Sequence, residues 1–170
     1  MNKITLKNIK HYPTMSEETY CFEATLYEDN KKIGRVSNRG VGGCHDFDFN
    51  LKKWQELDQW CKNNLPKWKL YDDEEHDTDL EMHISHLITE YLENQELKKL
   101  LRRSVIVVDD TCSNGEVYEW KFSKYKGKAK QEVIGGVKNH VENNDKFKNP
   151  IVLNSLSFDN AFEIFTREVA

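Results

Sequence analysis

The sequence has no apolar run longer than Val105 to Val108, far short of the ~20 residues that span a bilayer as a helix. No leader pattern opens it either, because Met1 runs directly into polar residues and a strand-like segment. Both absences point away from a membrane partner. The four cysteines, Cys21, Cys44, Cys61 and Cys112, form no CxxC pair, which fits reduced thiols in a cytoplasmic protein. GxGxxG, a P-loop with its terminal lysine and hydroxyl, and HExxH are all missing, so no cofactor is implied.

What remains is a polar chain with bulky anchors. At 170 residues it suits one domain that buries roughly 70% of its unfolded surface. Mean hydropathy is -0.80, yet 11% of residues are aromatic and four are tryptophan, which argues against disorder. The net charge of -4 is uneven: residues 51–95 carry a local net of -6 and residues 96–170 a net of +2. Such asymmetry orients a protein towards a charged partner.

The N-terminal third alternates with period two. Ile4 and Leu6 do so, with Ile9 one position out of step, as do Tyr20, Phe22, Ala24 and Leu26, with Cys21, Glu23 and Thr25 on the opposite face, which predicts strands. Asp29-Asn30 supplies a hairpin turn, and the returning strand feeds the loop Ser37 to His45. Asn50 is placed to cap a helix from Leu51 to about Asn63, with Leu51, Trp54, Leu57 and Cys61 as its apolar stripe. A second helix is expected from Thr78 or Asp79 to Asn94, and a shorter one from Glu96 to Arg103. Val105 to Val108 reads as a buried strand, paired with Glu116 to Phe122 across a turn at Cys112 to Gly115. A helix from Ala129 to Val141 carries the unfavourable pair Gly135-Gly136, a short strand follows at Ile151 to Leu153, and Ser157 caps a final helix. Strands and helices in separate runs predict an α+β fold, a single domain with a mainly antiparallel sheet of N-terminal and central hairpins packed by three to five helices.

Four constellations carry chemistry. The glycine loop places Asn38, Arg39, Gly40, Gly42, Gly43 and His45 together; its amides could form a nest for a phosphate or carboxylate ligand, while a plain structural turn accounts for the same residues. Asp110, Glu119 and Lys121 have the residue types of a PD-(D/E)xK nuclease site for Mg²⁺, although no proline precedes the aspartate, and a cross-strand ion pair explains them equally. Asp79, His83, His86 and Glu90 share one helical stripe whose donors suit a divalent metal, or else a solvated polar flank. Lys121, Lys124, Lys126, Lys128 and Lys130 interleave with Phe122 and Tyr125, the pattern of a weak nucleic-acid patch or of a solvated strand end.

Ser16 to Tyr27, Val36 to Gly43 and Ile151 to Phe158 together resemble a family of small phage- and prophage-encoded proteins to which no activity is assigned. The resemblance implies a non-enzymatic accessory protein that binds a host protein, for instance a component of a defence system. The surface expected to do so is acidic: Asp72, Asp73, Glu74, Glu75, Asp77 and Glu81, set against a basic partner. A nuclease and a phosphate-ligand binder stand as the rival readings, and the oligomeric state is left open.

Overall fold

The computed structural model describes residues 3–69, 74–112 and 115–167. The chain divides into two compact units, Met1–Thr89 and Glu90–Ala170, and its fold class is mixed α+β with antiparallel sheets.

In the first unit β1 (Ile4–His11), β2 (Phe22–Glu28), β3 (Lys31–Asn38) and β4 (Asp46–Asp48) form a four-stranded meander in chain order. The alternation in β2 does what period two dictates: Phe22, Ala24 and Leu26 are buried, while Glu23 is exposed. Cys21 departs from the expectation. It precedes the strand, so it escapes the alternation, and it is buried. The β2–β3 turn is the expected one, with Asp29 and Asn30 both at positive φ, 46° and 66°, the geometry that matches strand twist.

Helix α1 (Leu51–Asn64) starts where Asn50 accepts a hydrogen bond from the Lys53 amide at 2.8 Å. Its inward stripe is narrower than expected, since Leu57 and Cys61 are buried but Leu51 is 69% exposed. The place of an apolar residue is taken by Asp58, which is buried, binds Lys62 Nζ at 2.7 Å and accepts the Leu80 amide at 3.1 Å. It thus caps α2 (Leu80–Arg103) from a neighbouring helix. Between α1 and α2 lies a two-stranded ribbon of β5 (Trp68–Lys69) and β6 (Glu75–His76).

The two helices expected on either side of Asn94 are one. Asn94-Gln95 contains neither proline nor glycine, and asparagine costs a helix under about 1 kcal/mol.

In the second unit β7 (Ser104–Val108) is the centre of a three-stranded antiparallel sheet, between β8 (Tyr118–Lys121) and β9 (Ile151–Val152). All five β7 residues are buried, and the period of two sends them to two cores. Val105 and Val107 pack with Val133, Val137 and Val141 of α3 (Lys130–Glu142). Ile106 and Val108 pack with Leu97, Leu100, Leu153 and with Ala161 and Phe165 of α4 (Phe158–Phe165). The valines at i, i+4 and i+8 explain why α3 forms despite Gly135-Gly136. The N-terminal and central hairpins therefore belong to separate sheets. Of the expected turn after β7, Ser113 and Asn114 lie outside the described residues.

Candidate functional site

The glycine loop is built around Asn38, which ends β3 and is buried. Its Oδ1 accepts the Thr19 hydroxyl and the Gly40 amide, each at 2.8 Å. Its Nδ2 donates to the Gly43 carbonyl at 3.2 Å and to His45 Nδ1 at 3.2 Å. The Gly40 carbonyl in turn accepts three successive amides, those of Glu17, Glu18 and Thr19, at 2.8, 3.0 and 3.3 Å. A nest of amides does exist here, but on residues 17–19 rather than on the glycines, and the chain's own carbonyl fills it. The Gly40 and Gly42 amides are likewise spent on Asn38 and on Thr19 Oγ1. The expected phosphate cradle is thus wired inward, and Arg39 is left exposed.

Beside this loop lies a cavity of about 460 Å³ bounded by Glu17, Glu18, Thr19, His45, Glu81 and Ser85, with Phe22 and Ile88 as its apolar wall. Glu81, expected on the acidic surface, is instead half-buried, and its carboxylate accepts the His45 amide at 2.9 Å. Burial raises its pKa above the ordinary carboxylate value, against the pull of that hydrogen bond. Of the remaining surface candidates, Glu74, Glu75 and Asp77 are exposed, with Asp77 3.2 Å from Lys67 Nζ. Asp72 and Asp73 lie outside the described residues.

His45 Nε2 sits 3.1 Å from Ser85 Oγ and 3.9 Å from Glu81 Oε2, a grouping with the residue types of a hydrolytic triad. The hydrogen bonding runs the wrong way for one. Thr19 and Gly40 both donate to Asn38 Oδ1, so Asn38 presents its NH₂ to His45 Nδ1. Nδ1 is then an acceptor and the proton resides on Nε2, facing Ser85. An imidazole in that tautomer cannot take the serine proton. The arrangement holds and orients; it does not activate a nucleophile.

Burial also keeps the His45 pKa below its ordinary value of 6.5, opposed by the Glu81 hydrogen bond and by the Asp46 and Asp79 carboxylates. Between the lowered value and 6.5 the unfolded chain binds a proton that the folded chain does not, so stability rises with pH across that window. His83, also lowered chiefly by burial, acts with the same sign. Glu81 has the opposite sign: above 4.5 its raised pKa makes the folded state the better proton binder, so its contribution falls as pH rises. We expect the thermal midpoint to drop from pH 7.5 to just below 6, and the drop to shrink in His45→Gln. An unchanged slope in that variant would remove His45 from the account.

The other sequence candidates do not assemble. Glu119 lies opposite Ile106 across the β7–β8 ladder, and its carboxylate accepts Ser104 Oγ and, at 3.0 Å, Arg103 Nε. Asp110 lies past the other end of β7 and binds Asn149 Nδ2. The two carboxylates therefore serve opposite ends of the strand, and with Lys121 exposed the nuclease triad is not formed. Asp79 caps α2 by accepting the Met82 amide at 2.8 Å, while His83 is half-buried and His86 and Glu90 are exposed. Among the described residues no group of three or more His, Cys, Asp or Glu could hold a metal ion. Nor are the Cys61 and Cys112 thiols nucleophiles, since burial pushes the Cys61 pKa to about 12 and raises that of Cys112. No helix among the described residues is long and apolar enough to cross a membrane. Sequence reasoning missed Thr19 and Ser85, because their roles depend on hydrogen bonds to residues 19 and 40 positions away along the chain.

No family model, no curated protein and no solved structure matches this chain.

Proposed function

We propose that this protein acts without catalysis, by receiving a basic side chain of a protein partner in the acidic cavity of its first unit. The observation that carries this reading is the cavity wall: three of its lining residues, Glu17, Glu18 and Glu81, are acidic, and no lysine or arginine is among its described lining residues. A phosphate ligand would meet three like charges there. A guanidinium or ammonium group would meet charge-assisted acceptors, with Phe22 and Ile88 against its methylene stem. The exposed Glu74, Glu75 and Asp77 would add long-range attraction, which accelerates encounter more than it tightens binding. A basic component of a host defence system, the partner class that the phage resemblance implies, offers such side chains.

The test is a titration of isotope-labelled protein with an arginine-glycine repeat peptide, using a citrulline-glycine peptide as the uncharged control. The expected outcome is a set of amide shifts at Gly43, Ser85 and Thr89 and an affinity weakened at least about tenfold, ~1.4 kcal/mol, in Glu17→Gln/Glu18→Gln. Equal binding of the citrulline peptide, or shifts confined to other residues, would sink the reading.

A further inference from the structure

The second unit carries a groove that the proposed partner site does not use. It encloses about 370 Å³ and is lined by Trp120, Tyr125, Lys128, Glu132, Gly136 and His140, a volume within the roughly 300–1,000 Å³ of small-ligand sites. The helix along it is unusual, because Gly135-Gly136 stand in the middle of α3, where glycine is the poorest choice short of proline, and Gly136 lines the groove. A Cβ at either glycine would meet nothing within 4 Å, so no neighbour in the fold demands their presence. At Gly136 the missing side chain has one consequence: the helix backbone lies bare in the groove that Trp120 and Tyr125 also line.

The charge around the groove is opposite to that of the whole chain. Residues 120–141 contain six lysines and a single acid, Glu132, in a protein of net charge -4. All six lysines are exposed. Lys128 lies 3.4 Å from Glu132, and Lys130 is tied down over the Phe122 ring at 5.1 Å. Behind Trp120 stands Phe147, with ring centroids 6.0 Å apart, and Phe147 also meets Tyr118 and His140 edge-on at 5.0 and 6.4 Å. The tryptophan is therefore braced by rings.

We propose that this groove binds single-stranded nucleic acid. A base enters beside Trp120 and Tyr125 over the bare backbone of Gly136, while Lys124, Lys126 and Lys128 meet the phosphates. Stacking on aromatic rings tolerates any base, and lysines supply a sequence-independent attraction for the backbone. An acidic peptide would satisfy the lysines, but it would not use the Trp120 and Tyr125 rings that line the groove with Gly136.

The experiment is fluorescence anisotropy of a labelled oligothymidylate over a salt series. Affinity should fall as salt rises, with a logarithmic slope of about -0.7 for each phosphate engaged. Gly136→Gln puts a better helix former on α3 and fills the groove; binding should weaken at least tenfold with the salt slope unchanged. Lys124→Ala/Lys126→Ala should instead flatten the slope. Should Gly136→Gln fail to fold, Tyr125→Ser tests the same stacking position from outside the helix. The proposal is overturned by absence of binding at low salt, by affinity that neither groove variant changes, or by preference for polyglutamate over the oligonucleotide. Because the probe and the variants differ from those of the arginine-peptide titration, either reading can fail alone.

Discussion

Gly40→Ala is expected to cost about 3–5 kcal/mol, near the upper end for any single substitution. Two causes act together. Gly40 has φ of +86°, a conformation that costs a residue bearing a Cβ about 1–2 kcal/mol. A Cβ there would also overlap the Met15 carbonyl oxygen and lie 2.8 Å from Cys21 Cβ, and neither neighbour is a flexible side-chain end. Any relief moves the Gly40 carbonyl away from the Glu17, Glu18 and Thr19 amides it satisfies. Gly43→Ala separates the causes, since Gly43 has φ of +85° but open space where its Cβ would stand. That variant should lose only the conformational part, about 1–2 kcal/mol. Urea unfolding of both variants checks the difference, and equal losses would show that crowding at Gly40 contributes nothing.

The second large effect is expected at Asp109, whose side chain is fully buried in the second unit. Burial alone would raise its pKa. The Thr111 hydroxyl and amide, at 2.6 and 2.9 Å, with the Lys148 amide and the Cys112 thiol, outweigh that and hold it below the ordinary carboxylate value. Asp109→Ala removes the shared acceptor of these donors, an expected loss of about 1–3 kcal/mol. Asp109→Asn keeps the shape and the acceptor at Oδ1 but turns its NH₂ towards the Lys148 amide, so it should lose part of that amount. The pH dependence follows from linkage: below the unfolded value of 3.8 the unfolded chain takes up the proton first. Stability conferred by Asp109 is therefore present above that value and is lost as pH falls through the folded pKa. Glu119, whose pKa is lowered chiefly by the Ser104 hydroxyl bond, adds to the same acid sensitivity. Denaturant midpoints from pH 5 down to pH 2.5 should fall steeply in the parent and more gently in Asp109→Asn. Parallel curves would exclude Asp109 as a cause.

Asp109 also marks the limit of what the sequence discloses. Local signals were legible: the Asp29-Asn30 turn, the Asn50 and Ser157 caps and the buried strand from Val105 all appear where pattern and turn chemistry put them. Those features depend on neighbours within a few positions. The division of labour between Asp109 and Asp110 does not, since Lys148 and Asn149, which tell them apart, arrive from 39 residues away. The inward turn of Glu81 depends on His45, 36 positions distant. Acidity in a run predicts a solvated face, and only tertiary contact reveals which member of the run leaves it. The narrowed stripe on α1 has the same origin, because Asp58 is drawn inside by the first amide of another helix.

The three amides that meet on the Gly40 carbonyl amount to a receptor whose occupant is supplied by the same chain. A tethered group acts at an effective concentration that free solutes do not reach when the tether is short and the geometry fits. A phosphate ion in solution would have to displace a competitor that never diffuses away. In binding terms this loop is saturated from the moment it folds, which leaves the cavity beside it, not the loop itself, for the partner proposed above.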